Sequence, residues 1–183
     1  MFVDFERDSQ EGQLCSIERY ILYYLVKNEQ PKTVFEVGTW KGGGSTYFIS
    51  SALSENQWGR LYTCEANKEF YNHAVKLYKT TLKELAPYVV FHFGESDSVY
   101  PEVLKKLGLV DMVMLDGAED ADQTLKEYNM FLPYFKSGSF LICHDWKEGK
   151  MAKLKPVILD DDLWEIVTLL EDTTTGFSIF KRK

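Results

Sequence analysis

The chain has 183 residues, of which 45% are hydrophobic and 27% charged, and its formal net charge is −7. This length and composition are typical of one folded domain and argue against a disordered chain. The negative charge disfavours general binding to nucleic-acid backbones, and no apolar run is long enough to cross a membrane. We therefore expect one cytoplasmic domain over residues 1–183, with an N-terminal helical segment (residues 1–30) and a core (residues 31–183).

Short apolar runs alternate with helical patterns along the chain. A first helix is predicted over residues 16–27, where apolar side chains recur at helical spacing, and Pro31 ends it. Five runs rich in apolar and β-branched residues predict strands. These strands cover residues 33–37, 61–66, 88–93, 110–116 and 139–145. Helices are predicted between them, over residues 45–53, after residue 66 through about 83, over 99–107 and over 123–135.

The last two segments of the chain differ from this alternation. A turn at residues 136–138 is predicted to end the helix over 123–135. Residues 147–159 are basic and predicted to be helical, and their lysines could hold an acidic substrate or form a solvated face. These lysines are Lys147, Lys150, Lys153 and Lys155. Residues 164–183 read as two strands joined by a Thr/Gly-rich turn, which predicts an antiparallel hairpin.

The alternation of strands with helices predicts an α/β fold with a doubly wound, Rossmann-like sheet. Polar residues follow four of the five strands: a glycine loop after Val37, then Glu65, Asp116, and the pair His144 and Asp145. In such sheets ligands bind at the carboxyl ends of the strands, near the point where strand order reverses. The four positions therefore predict one pocket at this edge.

The glycine loop does not fit the known phosphate-binding patterns. From Gly38 it reads G-x-x-x-G-G-G-S, which lacks the GK[ST] ending of a P-loop and the G-x-G-x-x-G spacing of a dinucleotide fingerprint. Glu36 would repel a pyrophosphate but attract an amine, and the helix start at Ser45 could hold a carboxylate. An acidic residue at the position of Glu65 can accept from both ribose hydroxyls. A ligand with an amino-acid end and a nucleoside end satisfies these features; a plain turn and a surface glutamate are the alternatives.

Five motifs occur in order: E-V-G-T-W-K-G-G-G-S-T, C-E-A, G-E-S-D, M-L-D-G-A-E and I-C-H-D-W. Together they make the sequence resemble the class I S-adenosylmethionine-dependent methyltransferases. Within that superfamily it is most similar to the small catechol-type O-methyltransferases and their bacterial sugar- and antibiotic-modifying relatives. The resemblance runs from Pro31 to the C-terminus. It implies a seven-stranded sheet, mostly parallel, with a C-terminal antiparallel hairpin.

The resemblance also implies a set of cofactor-binding positions. Glu36, Gly38 and Ser45 match positions around the methionine part of the cofactor, and Glu65 matches the ribose-binding acid. Gly94, Ser96 and Asp97 match the loop beside the adenine, and Asp116 matches an acid near the reacting methyl group. The expected cofactor-binding set is Glu36, Gly38, Thr39, Gly42, Ser45, Glu65, Gly94, Ser96, Asp97 and Asp116.

Methyl transfer to a hydroxyl requires a base, a bound metal that lowers the pKa of that hydroxyl, or both. Asp116, His144 and Asp145 are ligand-type side chains on adjacent strand ends, and the resemblance implies a metal site there. Oxygen ligands suit Mg²⁺, whereas His144 departs from that pattern and leaves manganese or no metal open. His144 and Asp145 could instead be structural.

The catalytic candidates are Asp116, Glu119 and His144. Glu119 could act as a base if desolvation raised its pKa, or it could belong to an acidic helix start over residues 119–122.

We therefore predict an S-adenosylmethionine-dependent methyltransferase, with O-methylation of a small molecule such as a sugar or secondary metabolite. Nucleic-acid and membrane partners are not expected. A homodimer or residues 147–159 could cover the acceptor site. A metal-independent methyltransferase and a non-catalytic cofactor-binding module are the alternatives, and the glycine spacing disfavours a nicotinamide-dependent oxidoreductase.

Overall fold

The structure, a computed structural model, describes residues 3–6 and 14–183. Its centre is a seven-stranded sheet with the strand order β3-β2-β1-β4-β5-β7-β6. The strands are β1 (Thr33–Val37), β2 (Arg60–Glu65), β3 (Val89–Phe93), β4 (Val110–Leu115), β5 (Phe135–His144), β6 (Trp164–Leu170) and β7 (Phe177–Arg182). β1 to β5 pair in parallel, and β7 pairs antiparallel with both β5 and β6. The predicted fold class, including the C-terminal hairpin, is confirmed.

Six helices within the described residues cover the two faces of the sheet. They are α1 (Ser16–Glu29), α2 (Ser45–Asn56), α3 (Lys68–Thr80), α4 (Ser96–Leu107), α5 (Ala121–Phe131) and α6 (Leu154–Leu159). One core joins the first three helices to the sheet through residues such as Leu22, Phe48 and Tyr78. A second core joins the last three through residues such as Tyr100 and Tyr128. Every residue of β1 is buried, as expected of a central strand covered on both faces.

The prediction of a turn over residues 136–138 at the end of a helix is wrong. α5 ends at Phe131, a short 3₁₀ turn (Leu132–Tyr134) follows, and β5 already begins at Phe135. The register between β4 and β5 shifts over this segment, and Gly138 has a φ of +87°. Its glycine permits that left-handed backbone, so the turn-like residues form an irregularity inside the strand.

Two further predicted elements have different bounds. α4 begins at Ser96, so Ser96 and Asp97 lie in its first turn and not in a loop. The basic segment 147–159 is not one helix: a 3₁₀ turn (Gly149–Met151) precedes the short helix α6. None of the helices in the part of the chain that the structure describes is both long and apolar enough to cross a membrane.

β1 lies between β2 and β4, so the strand order reverses beside it. The residues that follow β1, β2, β4 and β5 therefore meet at one edge of the sheet. This is the edge where ligands bind in doubly wound folds.

Candidate active site

A cavity of about 1170 Å³ opens at the carboxyl edge of the sheet. Loops that follow all five parallel strands contribute to its wall. Seven of the ten predicted cofactor-binding residues line it: Gly38, Thr39, Ser45, Glu65, Gly94, Ser96 and Asp116. Glu119 and Asp145 also line it. The four strand-end positions are thus brought to one pocket, as the sequence predicted.

The loops after β1 and β4 approach each other closely at Gly38 and Gly117. A Cβ atom at Gly38 would lie 2.7 Å from the Cα of Gly117, and Gly38 has a φ of +94°. Only glycine combines this backbone conformation with so close an approach. The contact keeps the backbone at the floor of the cavity bare of side chains, which lets a ligand approach it.

Glu65 is held in place by backbone amides at the end of β2. The Trp40 N–H donates to its Oε2 at 2.8 Å, and the Asn67 N–H donates to its Oε1 at 2.8 Å. Each carboxylate oxygen keeps a further lone pair for another donor. The carboxylate is therefore pre-oriented on the cavity wall to accept from two neighbouring hydroxyls.

Glu127, a residue that the sequence analysis did not select, lies beside Ser96 at the same wall. The Ser96 hydroxyl donates to Glu127 Oε1 at 2.8 Å, while Oε2 is buried and has no hydrogen-bond partner among the described residues. Burial raises the pKa of this carboxyl, and the hydrogen bonds from Ser96 and Gln123 oppose the shift. No sequence signal marked Glu127, because its position depends on how α5 packs beside α4.

At the other end of the cavity, Asp116 contacts the buried His144. The two side chains meet at 3.0 Å between Asp116 Oδ1 and His144 Nδ1. The other ring nitrogen of His144 faces Glu18 of α1, at 3.6 Å from its Oε2. Burial alone would lower the pKa of His144, but the hydrogen bonds to Asp116 and Glu18 and the charges of Asp116 and Asp145 raise it to about 10. His144 therefore lies between carboxylates that face both of its ring nitrogens, and it lies behind the cavity wall.

Lys150 completes this cluster. Its Nζ lies 2.6 Å from Asp145 Oδ2 and 3.4 Å from Asp116 Oδ1, and it donates to the Asp116 carbonyl at 3.1 Å. Burial lowers the pKa of the ammonium, but the neighbouring Asp116 and Asp145 carboxylates raise it above the ordinary value. Of the four lysines noted in the sequence, only Lys150 lines the cavity.

The sequence model of a family described as a methyltransferase domain matches residues 35–146, more than half of the chain. The chain belongs to this methyltransferase family. The matched range runs from β1 to the residue after Asp145 and so contains all ten predicted cofactor-binding positions. The resemblance seen in the five motifs is confirmed.

Solved structures support the same fold for this methyltransferase. An O-methyltransferase from Bacillus cereus in complex with SAH has a TM-score of 0.76 at 17% identity, over 93% of this chain and 83% of that chain. The O-methyltransferase TomG from Streptomyces achromogenes, in complex with SAM, has a TM-score of 0.76 at 17% identity, over 97% and 85%. A SAH-bound Podospora anserina methyltransferase has a TM-score of 0.72 at 14% identity, over 93% and 80%. At these identities the likeness concerns the fold alone. Among curated proteins, none matches the sequence.

The donor set of this methyltransferase does not fit the expected divalent metal. Ligand-type atoms of Asp116, His144 and Asp145 do lie within 4.8 Å of one another. However, both nitrogens of His144 already face carboxylates, Asp116 on one side and Glu18 on the other, so neither nitrogen is open to a metal. The Lys150 ammonium already lies against both aspartates, in the position of a cation.

Four predicted site residues do not reach the cavity wall of the methyltransferase: Glu36, Gly42, Asp97 and His144. Gly42 faces α3, where an added Cβ would lie 3.0 Å from the Ala74 Cβ. Asp97 turns outward from the first turn of α4 and pairs with Lys126. Both residues lie on the expected loop or helix, but they face away from the cavity.

Glu36 lies beneath the cavity floor and is completely buried. Its Oε2 accepts from the Thr46 hydroxyl at 2.7 Å and from the Thr63 hydroxyl at 2.6 Å. Burial raises its pKa to about 7, although hydrogen bonds from Ser45, Thr63 and Thr46 oppose the shift. Glu36 thus anchors the start of α2 to β2, which fixes Ser45 at the cavity wall.

This burial predicts a pH-dependent stability that Glu36→Gln should remove. Because the folded-state pKa is raised, the folded chain binds more protons than the unfolded chain between about pH 4.5 and 7. The free energy of unfolding should therefore fall as pH rises through this window, by up to about 1.4 kcal/mol per pH unit from this group. Urea unfolding at stepped pH measures the slope. The exposed Glu29→Gln is the matched control, and an equal slope in wild type and Glu36→Gln would contradict the assignment.

Proposed function

We propose that this chain is an S-adenosylmethionine-dependent O-methyltransferase that acts on a small molecule, and that residues 1–183 work as one domain. The observation that supports this most is the single cavity that joins the amide-held carboxylate of Glu65 to Asp116. The structural neighbours in complex with SAM or SAH share this fold. One of them, TomG, is described as involved in tomaymycin synthesis, which supports a small-molecule acceptor.

The residues of the cavity fit the three parts of this cofactor. Glu65 would accept from the two ribose hydroxyls, because both of its oxygens keep a free lone pair on the cavity wall. Ser96 and Glu127 would lie beside the adenine, whose exocyclic amine is a donor. The bare floor at Gly38 and the start of α2 at Ser45 would hold the methionine part, with backbone amides for its carboxylate.

The bound cofactor would supply an electrophilic methyl group on a cationic sulfur, and an acceptor hydroxyl that takes this methyl would have to lose its proton. The chain has to align the acceptor and receive that proton. Asp116 is already engaged by His144 and Lys150. Glu119 lines the same cavity three residues further on; its side chain is exposed, so the desolvation expected of a catalytic base would have to come from the bound acceptor. We assign proton acceptance to Glu119 and an electrostatic role to Asp116.

The acceptor end of the cavity suits a small polar molecule. Acidic side chains dominate there, with Asp116, Glu119, Asp120, Asp145 and Glu148 on the wall. A formal net charge of −7 and this acidic wall would repel a nucleic-acid backbone. A neutral or cationic small molecule with a hydroxyl group is the acceptor class that these charges favour.

The test is a calorimetric titration of the protein with S-adenosylhomocysteine, repeated with NAD. We expect one-to-one binding of S-adenosylhomocysteine and no binding of NAD, because the loop after β1 lacks the dinucleotide spacing. Absence of binding by S-adenosylhomocysteine would overturn the proposal.

A second experiment separates an active enzyme from a binding module of the same fold. Incorporation of labelled methyl groups is measured over pools of hydroxyl and amine acceptors. Glu119→Gln should lower the transfer to hydroxyl acceptors and leave S-adenosylhomocysteine affinity unchanged, because Glu119 would take part only after the cofactor is bound. Cofactor binding without methyl transfer to any pool would favour the module.

A further inference from the structure

We propose that the ammonium of Lys150 occupies the place of a divalent cation in this site, so that Asp116 and Asp145 hold a side chain instead of a metal. This inference deepens the proposed function, because it makes methyl transfer independent of added metal. It rests on contacts at the acceptor end of the cavity and not on the identity of the cofactor.

The first support is the saturation of the ammonium. A lysine ammonium has three hydrogens to donate. Three acceptors surround Nζ of Lys150: Asp145 Oδ2 at 2.6 Å, the Asp116 carbonyl at 3.1 Å and Asp116 Oδ1 at 3.4 Å. The side chain is only 11% exposed, so solvent does not compete strongly for these contacts. The arrangement is that of a bound cation, with oxygen atoms from two residues around one positive charge.

The second support is that the backbone delivers Lys150 to this position by a fixed route. Asp145 has a φ of +57°, which turns the chain sharply after β5. The next amides, of Trp146 and Lys147, donate to the carbonyls of Gly176 and Thr175 before β7. The 3₁₀ turn that contains Lys150 is then anchored by Met151, which is buried in the core beneath α5. Lys150 therefore extends from an anchored turn and not from a solvated helix face.

The third support is the position of the ammonium between the two aspartates. Nζ of Lys150 lies 2.6 Å from Asp145 Oδ2 and 3.4 Å from Asp116 Oδ1. A divalent ion bound by the same two carboxylates would lie beside this ammonium, where like charges repel strongly. The contacts therefore disfavour a metal while Lys150 is in place.

The experiment is a titration of the whole protein with Mn²⁺, followed by electron paramagnetic resonance, which detects the free ion. Wild type should bind Mn²⁺ only weakly. Lys150→Ala exposes the two aspartates and should bind one Mn²⁺ at least about tenfold more tightly than wild type does. Adding Asp145→Asn to Lys150→Ala should abolish this new binding.

Lys153→Ala is the matched control. Lys153 lies three residues further on and pairs with Asp122, and its side chain is 51% exposed. This variant should behave as wild type. Because Lys150→Ala leaves two buried carboxylates without their cation, the neutral variant Lys150→Gln, whose amide can still donate hydrogen bonds, is titrated as well, and thermal melting identifies which variants fold.

Tight one-to-one binding of Mn²⁺ by wild type would overturn the inference. So would folded Lys150→Ala and Lys150→Gln that bind no more Mn²⁺ than wild type, because the aspartates would then not be a cation site. The titrations use protein without cofactor. A failure of S-adenosylhomocysteine to bind, which would overturn the proposed function, is therefore a separate result.

Discussion

Glu65→Ala should weaken S-adenosylhomocysteine binding by about 100-fold. Hydrogen bonds to a charged group contribute about 1.5–3 kcal/mol each, and about 1.4 kcal/mol corresponds to a factor of ten in affinity. The variant would lose the two hydrogen bonds that the Glu65 carboxylate would accept from the ribose. It would also lose the hydrogen bonds that the amides of Trp40 and Asn67 now donate to this carboxylate, at 2.8 Å each. Calorimetric titration of wild type and variant measures the change.

The control for this prediction is Glu69→Ala. Glu69 is an exposed glutamate in the first turn of α3, four residues beyond Glu65 and away from the cavity wall. It should leave the affinity within about threefold of wild type, as is usual for an exposed charge outside the site. If the two variants bind S-adenosylhomocysteine equally well, Glu65 does not hold the ribose.

The features that sequence predicted correctly are those that depend on local pattern and chain order. Apolar runs such as residues 33–37 and 110–116 form neighbouring parallel strands, and parallel strands place their carboxyl ends at one edge. That rule alone brought Glu65, Asp116 and Asp145 to one cavity. No knowledge of side-chain packing was needed for this step.

The features that sequence did not predict depend on contacts between distant segments. Glu18 reaches His144 from a helix 126 positions earlier in the chain, and nothing in the pattern of α1 marks it as part of the site. Lys150 looks like any lysine of a basic segment until the chain reversal at Asp145 and the burial of Met151 turn it inward.

Glu36 shows a different limit. Its motif position was identified, but a strand alternates its side chains, and in a sheet covered on both faces each of them is buried in one core or the other. Its carboxylate therefore lies beneath the cavity floor and binds two threonine hydroxyls of the chain. A motif locates a residue along the chain; the packing of the neighbouring helix decides which surface its side chain reaches.

Asp145→Asn should lower the free energy of unfolding by about 3 kcal/mol, because removing one partner of a buried ion pair is strongly destabilising and leaves Lys150 with only the more distant Asp116 carboxylate, at 3.4 Å. Asp145 and Lys150 meet at 2.6 Å, with side chains only 15% and 11% exposed. Asparagine tolerates the left-handed backbone at this position (φ +57°), so the loss reports on charge and not on strain. Urea unfolding measures it. The control is Asp122→Asn, whose pair with Lys153 has a similar distance but is 82% and 51% exposed, and which should cost less than about 1 kcal/mol.

A double-mutant cycle then decides whether the loss at Asp145 belongs to its contact with Lys150. Lys150→Met removes the ammonium and nearly keeps the length of the side chain. The double variant with Asp145→Asn and Lys150→Met therefore contains neither of the two charges that form the pair. The double variant should be more stable than the sum of the single losses predicts, by about 2 kcal/mol of coupling. Additive losses, within about 0.5 kcal/mol, would mean that the two side chains contribute independently. Lys150 would then not be the cation that Asp116 and Asp145 hold.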